Sequence, residues 1–465
     1  MTLTQTPRLG ASLGLLAFAN LITSLDFTIV YVALPDIARD AGFSVHSIQW
    51  VVSAYAVVFG GFLLLGGRLS DLLGRRRLFA AGMLLYGGAS LLGGLAEGPG
   101  TLIAARALQG LGGAILAPAT LALVNTMFTE HAQRTRALTV WATGGAAGLS
   151  LGALLGGALT SALGWEWVFF VNVPLAALGL VAAPYLLVPD APRARGTGFD
   201  LPGALTGTGG VTLLVFAIAQ GPETGWGSPT VLGAAVAGLV LLTVFVRIEG
   251  ASRHPLLPLR LFRERGLPAA AGVILLFGLT LQAVPYFLTL YFQDVLGYDA
   301  LRTGVGFLGP TLTITLGNTL SDRLIPRFGT RATLVSGLLT GGAGAALLAA
   351  GMRADGSYLT VLAGIVVVGL GMGLIYPAMF NAAGGGVAPG DAGVASGLAN
   401  TALQVGSGAG LAVLVAVATA SLPGLTGEPL REATASGLAT AGYVAAAGVL
   451  LAVPAALRVP STRRP

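Results

Sequence analysis

The sequence predicts an all-α polytopic membrane protein with fourteen transmembrane helices, and three observations predict it. Of its 465 residues, 54% are hydrophobic and only 9% are charged, which is too little charge to cover water-soluble domains of that size. Apolar runs recur along the whole chain, and roughly 20 such residues per helix cross a bilayer core of about 30 Å. Short polar loops separate the runs, and their arginines are unevenly distributed.

The apolar runs follow one another without an intervening soluble domain. They cover residues 12–34, 48–69, 78–96, 101–124, 136–163, 167–188, 200–220, 228–248, 267–292, 301–321, 331–351, 357–381, 394–421 and 433–456. The first run follows Arg8 as a signal peptide would, but it is too long and it contains Asp26. We therefore expect it to be a retained helix.

Loop charge predicts that both termini face the cytoplasm. With the amino terminus inside, the cytoplasmic segments hold 20 arginines and 8 acidic residues, whereas the outer segments hold 4 arginines and 10 acidic residues. Cytoplasmic loops carry such an excess of arginine, and an even number of spans keeps both ends on that side. Exclusive use of arginine and abundant glycine and alanine suggest a bacterial source, so we expect the bacterial plasma (inner) membrane.

A short repeat predicts how the spans are organised. Leu69-Ser70-Asp71 follows the second run, and the same tripeptide follows the tenth run at residues 320–322, eight spans later. Two six-helix halves alone would give an offset of six spans, so two further helices should lie between the halves. We predict an amino-terminal six-helix bundle over residues 1–189, a linker with two extra transmembrane helices over residues 190–265, and a carboxy-terminal six-helix bundle over residues 266–465.

Composition argues against enzymatic chemistry. The chain has no cysteine and no lysine, and its three histidines lie in predicted loops, which leaves no ligand set for zinc, haem or an iron-sulfur cluster. A polytopic enzyme would need a nucleophile, a metal or paired carboxylates within the membrane. We therefore expect a protein that is not an enzyme, that has no cofactor or metal, and that does not bind nucleic acid. The glycine- and alanine-rich spans also lack the continuous polar lining of a channel.

Four segments together resemble one transporter family. Residues 25–35 resemble the first-helix signature of the fourteen-helix drug:proton antiporters of the major facilitator superfamily. Residues 67–76 resemble the superfamily's loop motif between helices 2 and 3, residues 106–112 its fourth-helix motif, and residues 165–174 the segment that enters helix 6. The resemblance implies the major facilitator fold.

The function that this resemblance implies is proton-coupled antiport. The protein would export small amphipathic or cationic compounds by alternating access, with protons, small-molecule substrates and the lipid bilayer as its partners. We expect a monomer. Export of an endogenous lipid or metabolite, and a non-transporting membrane sensor, remain as alternatives.

Two ionisable residues lie within the predicted spans, and we predict that they couple transport to protons. Asp26 in the first run and Arg106 in the fourth have similar depths, about 12 and 8 Å below the outer helix ends at ~1.5 Å per residue. An intramembrane charge costs several kcal/mol and is by default a functional candidate. Protonation of Asp26 and binding of cargo would then exclude one another. The alternative is a structural pair that only holds two helices together.

The second half has no acidic residue in the middle of a span. Asp294 ends the ninth run and Asp391 precedes the thirteenth, and we interpret both as solvated loop acids. With one carboxylate available, we expect monovalent cations or neutral amphipaths to be preferred over dications.

Aromatic and amide side chains within the spans are candidates for the lining of a substrate cavity, because cation-π and stacking contacts suit flat, poorly hydrated cargo. The candidates are Asn20, Phe27, Tyr31, Gln109, Tyr286, Gln293, Tyr376, Asn381, Asn400 and Gln404. For each of them, helix packing or a position in an interfacial belt is the alternative.

The resemblance also implies a gate and a flexible helix contact. The gate would be formed on the cytoplasmic side by Gly67, Asp71, Gly74, Arg75 and Arg76, with Asp322 and Arg323 as counterparts in the second half; a merely solvated loop is the alternative. The antiporter helix is the fifth, where glycines recur every four residues and form a bare stripe. These glycines are Gly144, Gly148, Gly152 and Gly156, followed by Gly157. The resemblance places this helix between the two halves, where close contact permits rocking; plain helix packing is the alternative.

Overall fold

The structure is all-helical in its regular elements, and its helices follow the predicted apolar runs. It is a computed structural model that describes residues 9–44, 47–190, 200–252, 255, 260–261, 266–385, 387, 392–422 and 424–460. The helices are α1 (Leu9–Asp40), α2 (Trp50–Leu73), α3 (Arg75–Gly94), α4 (Pro99–Met127), α5 (His131–Leu163), α6 (Trp167–Phe170), α7 (Asn172–Leu186), α8 (Leu201–Thr224), α9 (Pro229–Ala251), α10 (Gly266–Thr280), α11 (Val284–Leu290), α12 (Ala300–Gly306), α13 (Leu308–Phe328), α14 (Thr330–Gly351), α15 (Tyr358–Gly384), α16 (Ala392–Thr419), α17 (Gly427–Leu450) and α18 (Val453–Leu457). A 3₁₀ turn (Leu281–Ala283) precedes α11 and a π-helical turn (Tyr291–Val295) follows it.

Ten helical segments of the described residues are long and apolar enough to cross a membrane. Trp50–Leu63 and Pro202–Ile218 are shorter apolar stretches, and the two remaining predicted runs contain α3 and the consecutive helices α12 and α13. Helix α3 opens with three arginines, which lower its apolar character. The helical membrane fold is therefore confirmed, whereas the number of fourteen spans stays a prediction.

The same helix pairs recur in two sets of elements. In the first half, which we define as α1–α7, α1 packs on α5, α2 on α4, and α3 on both α4 and α7. In the second half, α10–α18, α10 packs on α16, α13 on α15, and α14 on both α15 and α17. Position for position along the chain, these are equivalent pairs, as expected for a repeated six-helix unit.

Helices α8 and α9 form a hairpin outside this repeat. They pack on each other, and α8 also packs on α2 of the first half and α16 of the second. Thr208 of α8 donates its hydroxyl hydrogen bond to the Gly61 carbonyl of α2 at 2.6 Å. The predicted boundaries of this hairpin segment, at residues 190 and 265, adjoin or fall within stretches outside the described residues.

The two halves meet along two seams. We call the side on which α1 begins proximal and the side on which it ends distal. At the first seam, α2 packs on α16 and Thr401 Oγ1 donates to the Gly60 carbonyl at 3.0 Å, near mid-depth. At the second seam, the distal part of α5 packs on α12, and the Leu301 amide donates to Ser161 Oγ at 3.0 Å.

Candidate functional site

Two charged side chains meet inside the first half. Asp26 lies near the middle of α1 and Arg106 in the distal third of α4, and Arg106 Nη1 donates to Asp26 Oδ2 at 2.6 Å. The Asp26 side chain is 0% exposed and that of Arg106 is 2% exposed. Charges removed from water in this way need further hydrogen bonds to offset the lost hydration.

An amide side chain on α4 supplies several of these hydrogen bonds. Gln109 Nε2 donates to Asp26 Oδ1 at 2.9 Å and to Ser90 Oγ at 2.8 Å, while Gln109 Oε1 accepts from Arg106 Nη1 at 2.8 Å. Both ends of this amide are therefore used, and its orientation is fixed by its neighbours.

A second amide reaches the carboxylate from the start of α7. Asn172 Nδ2 donates to Asp26 Oδ1 at 3.0 Å and to the Val168 carbonyl at 3.3 Å. On the other side of the pair, Arg106 Nε donates to the Val51 carbonyl at 2.7 Å. The carboxylate thus accepts three hydrogen bonds. We call Asp26, Arg106, Gln109, Asn172 and Ser90 the buried polar cluster.

Aromatic rings enclose this cluster. The guanidinium carbon of Arg106 lies 4.6 Å from the centroid of the Tyr55 ring and 6.0 Å from that of Phe169. Such cation-π contacts strengthen when water is excluded. Tyr86 is fully buried beside the cluster, and its hydroxyl donates to the Ile22 carbonyl at 3.5 Å. The carboxylate therefore interacts with fixed protein groups in a water-poor environment.

The local sequence of α4 explains why the cluster closes. Arg106 and Gln109 are three residues apart, so they share one face of the helix. The glycines that follow let neighbouring helices approach: an added Cβ at Gly110 would lie 2.5 Å from the Tyr55 carbonyl, and one at Gly112 would lie 2.9 Å from the Tyr86 amide. Small residues permit this approach in membrane bundles.

Asp26 and Arg106, which the sequence singled out together, are in direct contact. Gln109, interpreted as a cavity residue, instead belongs to the buried polar cluster and is fully buried. Asn172 and Ser90 were not identified as site residues. The signal that could have found them is a polar side chain inside an apolar run, which in hydrocarbon must find a partner.

The other cavity candidates of the first half contact either a neighbouring aromatic ring or a neighbouring helix. Phe27 is half-buried and forms an edge-to-face contact with Tyr31 at 5.9 Å between centroids. Tyr31 is only 2% exposed. Asn20 Nδ2 donates to the Trp141 carbonyl of α5 at 2.9 Å, so this amide joins two helices of the same half.

Three candidates of the second half, Tyr286, Gln293 and Gln404, are packed against other helices. Tyr286 is 1% exposed, and Gln404 is 7% exposed. An added Cβ at Gly60 of α2 would lie 2.5 Å from Gln404 Cβ, so this residue packs in the first seam. Gln293, in the π-helical turn, donates to the Val32 carbonyl of α1 at 2.8 Å and joins the halves near their distal side.

The remaining candidates are accessible on α15 and α16. Tyr376 is 42% exposed and stacks obliquely on Phe380 at 5.2 Å. Asn381 is exposed and donates to the Pro377 carbonyl, and the half-buried Asn400 likewise donates to a carbonyl of its own helix. The buried amides and rings among the ten candidates pair with the nearest backbone or ring, and their role in lining a substrate cavity stays a prediction.

The loop between α2 and α3 is organised by an aspartate that the motif does not include. Asp190, which follows α7, accepts hydrogen bonds from the backbone amides of Arg76 at 2.9 Å and Arg77 at 3.2 Å. A carboxylate satisfies the first amides of a helix in this way. Gly74 precedes them with φ of 102°, and a side chain there would collide with Asp190. The predicted gate therefore includes a link to the end of the first half.

The charged gate residues Asp71, Asp322 and Arg323 belong to the ends of helices on the proximal side. The side chain of Asp71 lies outside the described residues. Asp322 and Arg323, its proposed counterparts, are exposed at the proximal end of α13. The backbone symmetry is retained, because Gly329 before α14 has φ of 87°, close to that of Gly74 before α3.

The glycine stripe of α5 faces α1 rather than the second half. Added Cβ atoms would lie 2.5 Å from the Ala17 carbonyl at Gly144 and 2.6 Å from the Ile29 carbonyl at Gly156. Gly148 and Gly152 likewise face the α1 backbone. Residues four apart share one helix face, and that face is used within the first half, although helix α5 itself does reach the second half as the resemblance implies.

Contact between α5 and the second half uses the neighbouring face instead. An added Cβ at Gly157 would lie 2.5 Å from the Ala300 carbonyl, and one at Gly304 would lie 2.6 Å from the Ala153 carbonyl. Gly157 is thus the member of the predicted set that touches the other half.

A groove of about 620 Å3 lies on the distal side of the second half. The end of α14, the loop after it and the start of α17 line it, and its charged residues include Arg353, Asp355, Glu428 and Arg431. None of the predicted cavity residues contributes to it. These four side chains form two exposed ion pairs, Arg353 with Asp355 and Arg431 with Glu428.

Comparison with known proteins supplies the family. The sequence profile described as "Major Facilitator Superfamily" matches residues 16–411. The chain is 44% identical to the puromycin resistance protein pur8 of Streptomyces alboniger, over 89% of this chain and 82% of that protein. It is 39% identical to the cephamycin export protein CmcT of Amycolatopsis lactamdurans, over 92% and 88% of the two chains. The lincomycin resistance protein of Streptomyces lincolnensis is 36% identical, with 87% and 84% covered.

A solved structure shows the same fold. The human organic anion transporter MFSD10 (TETRAN) superposes with a TM-score of 0.65 over 97% of this chain and 100% of that chain. At 16% sequence identity, the likeness concerns the fold alone.

Proposed function

The chain belongs to the major facilitator superfamily, and from this premise we propose that it is a proton-coupled antiporter exporting small amphipathic or cationic compounds by alternating access. It is an integral membrane protein of the bacterial plasma membrane, and it resembles exporters and resistance proteins named for puromycin, cephamycin and lincomycin. These chemically different antibiotics support a proposed substrate class defined by size and amphipathic character.

The observation that carries the proposal is the Asp26–Arg106 ion pair. A buried pair contributes little net stability compared with apolar residues of similar size, so its presence inside a membrane bundle is better explained by function. A proton on Asp26 would cancel the attraction that joins α1 to α4. Proton binding would thereby change helix packing in the first half.

The burial of Asp26 modifies the expected mechanism. Since its side chain is fully enclosed, cargo cannot touch the carboxylate in this conformation. We propose that proton and cargo exclude one another through the position of Arg106 and the helices that carry the cluster. Asp26 would exchange its proton only when the first half rearranges.

Alternating access would follow from the two seams. We propose that the distal side is the outer face and that both termini are cytoplasmic, as the arginine distribution predicts. Near the distal side the halves are joined by Gln293 on Val32 and by α12 on α5. This arrangement corresponds to an outer gate that is closed, and export requires these contacts to separate.

Reconstitution into liposomes tests the proposal. With an imposed pH gradient, efflux of puromycin and of a monocationic dye should occur with the unchanged protein and be lost with Asp26→Asn. Asp355→Asn is the matched control, because that exposed carboxylate lies in a distal loop, and it should leave flux unchanged. Gradient-driven flux that persists in Asp26→Asn would refute proton coupling at this residue.

Charge selectivity is tested in the same vesicles. Asp26 is the one carboxylate in the middle of a described span, since the buried Asp200 and Glu249 lie at helix ends. This predicts that a monocationic dye is exported faster than a dication of matched shape. Equal rates would contradict a one-carboxylate mechanism.

A further inference from the structure

The Asn172 amide is incompletely satisfied in an otherwise complete cluster. Its side chain is 0% exposed, and its Oδ1 has no hydrogen-bond partner among the described residues. Buried polar atoms almost always have a partner, and an orphan calls for an explanation. Gln109, the other amide on the carboxylate, has partners at both ends.

The present orientation of Asn172 suits an ionised Asp26. Asn172 Nδ2 contacts two acceptors, Asp26 Oδ1 at 3.0 Å and the Val168 carbonyl at 3.3 Å. Oxygen in that position would face two other oxygens, so the chemistry requires the nitrogen there. An ionised carboxylate is an acceptor only, and all three of its close partners donate.

A protonated Asp26 would need an acceptor instead. Its Oδ2 is held by the Arg106 guanidinium at 2.6 Å, so the proton is better placed on Oδ1, where only neutral amides donate. The new O–H becomes a donor that faces two amide nitrogens. Gln109 cannot turn its oxygen towards it without losing the hydrogen bond from Arg106 and turning the Ser90 hydroxyl away from the Tyr86 carbonyl.

Asn172 can make that exchange without breaking a bond at its Oδ1, which has no partner among the described residues. A half-turn about its terminal torsion, which is broad and roughly two-fold, places Oδ1 where Nδ2 now lies. The turn gives up the 3.3 Å hydrogen bond to the Val168 carbonyl and sets two oxygens near one another there, so it is favoured only while Asp26 carries the proton. The other titratable groups that face the pair are Tyr55 and Tyr86, which interact with both Asp26 and Arg106, and Tyr31, which interacts with Arg106.

We infer that Asn172 is the positioning residue for proton binding: its amide donates to ionised Asp26 and, after rotating, accepts the proton of the neutral acid. This inference rests on the proposed proton coupling and adds the group that serves both protonation states. Because Asn172 begins α7, a change at α1 would be transmitted to the last helix of the first half.

Infrared difference spectroscopy of the reconstituted protein tests the inference. Stepping the pH should reveal a carboxylic acid C=O band that is absent in Asp26→Asn, which assigns it. A hydrogen bond donated by the acid lowers the frequency of this band. With Asn172→Leu, which keeps the side-chain size but removes the acceptor, the band should shift to higher wavenumber, and gradient-driven flux should fall at least tenfold.

Asn172→Ser provides the second variant should Asn172→Leu fold poorly. A hydroxyl both donates and accepts, so the band should remain closer to that of the unchanged protein and flux should be partly restored. An unshifted Asp26 band in both variants would overturn the role of Asn172 while leaving proton coupling intact. Absence of any Asp26 band in the unchanged protein, with flux that persists in Asp26→Asn, would instead overturn the proposed function.

Discussion

Replacing Arg106 by methionine should lower the free energy of unfolding more than breaking an exposed ion pair does. The guanidinium makes three hydrogen bonds, to Asp26 at 2.6 Å, to the Val51 carbonyl at 2.7 Å and to Gln109 at 2.8 Å. Arg106→Met leaves all three acceptors without this donor, and one of them is the negatively charged Asp26 carboxylate. Breaking a buried pair by removing one partner costs about 3–5 kcal/mol.

A matched surface pair gives the control. Arg431 Nη2 donates to Glu428 at 2.9 Å, and these side chains are 42% and 62% exposed. Exposed pairs are worth about 0–1 kcal/mol, so Arg431→Met should change the free energy of unfolding by no more than that. The two pairs have similar distances but differ in burial and in the further hydrogen bonds that Arg106 donates to the Val51 carbonyl and to Gln109.

The double variant supplies the decisive measurement. Asp26→Asn in the Arg106→Met background removes the stranded charge, so it should recover about 2–3 kcal/mol of the loss, which a double-mutant cycle reports as coupling. Unfolding in mixed detergent micelles gives the four free energies. Additive effects, or equal losses for Arg106→Met and Arg431→Met, would refute the reasoning that burial makes this pair special.

Three further predictions follow from contacts outside the cluster. Asp190→Ala removes the acceptor of two backbone amides at the start of α3 and should lower the free energy of unfolding by about 1–2 kcal/mol; an unchanged unfolding midpoint would contradict the capping role. Gly152→Ala would place a Cβ 2.5 Å from the α1 backbone, whereas Gly88→Ala meets nothing within 4 Å, so only the first should destabilise, and thermal unfolding of both checks this. Gln293→Leu removes the hydrogen bond to Val32 and should speed thiol labelling of a single cysteine introduced on the distal part of α1, which is a clean assay in a chain without cysteine; unchanged labelling would refute the closed outer gate.

Much of the architecture could be predicted from the sequence because a bilayer imposes simple rules. Long apolar runs must be helices, and all the predicted runs are helical here. The repeated Leu-Ser-Asp tripeptide ends α2 and lies near the end of α13, and left-handed glycines precede both α3 and α14. The membrane charges Asp26 and Arg106 were identifiable for the same reason, since few charges are tolerated there.

The side-chain partners could not be predicted in the same way. Spacing places Gln109 beside Arg106 on one helix, but only tertiary packing determines that this amide turns inward to Asp26 and Ser90. Asn172 lies 146 residues from Asp26 along the chain, and no local pattern links the two. The contacts of the cavity candidates could not be predicted for a related reason: composition shows that an amide needs a partner, not which partner is nearest.

The direction of the glycine stripe on α5 is a further feature that the sequence alone does not predict. Four-residue spacing predicts a smooth helix face, and α5 has one. Which neighbour covers that face depends on helix order in space, and α1 occupies it. The resemblance correctly leads to a contact between α5 and the other half, but that contact uses Gly157 and its neighbours.

The helical hairpin α8–α9 makes the two seams unequal. It lies against α2 and α16, so protein covers the joint between these helices, whereas none of the described hairpin contacts reaches the joint between α5 and α12. Because the Thr208 hydroxyl of α8 is bonded to the Gly61 carbonyl of α2, a movement of α2 away from α16 must also carry or bend the hairpin, so the inserted helices add stiffness to the first seam.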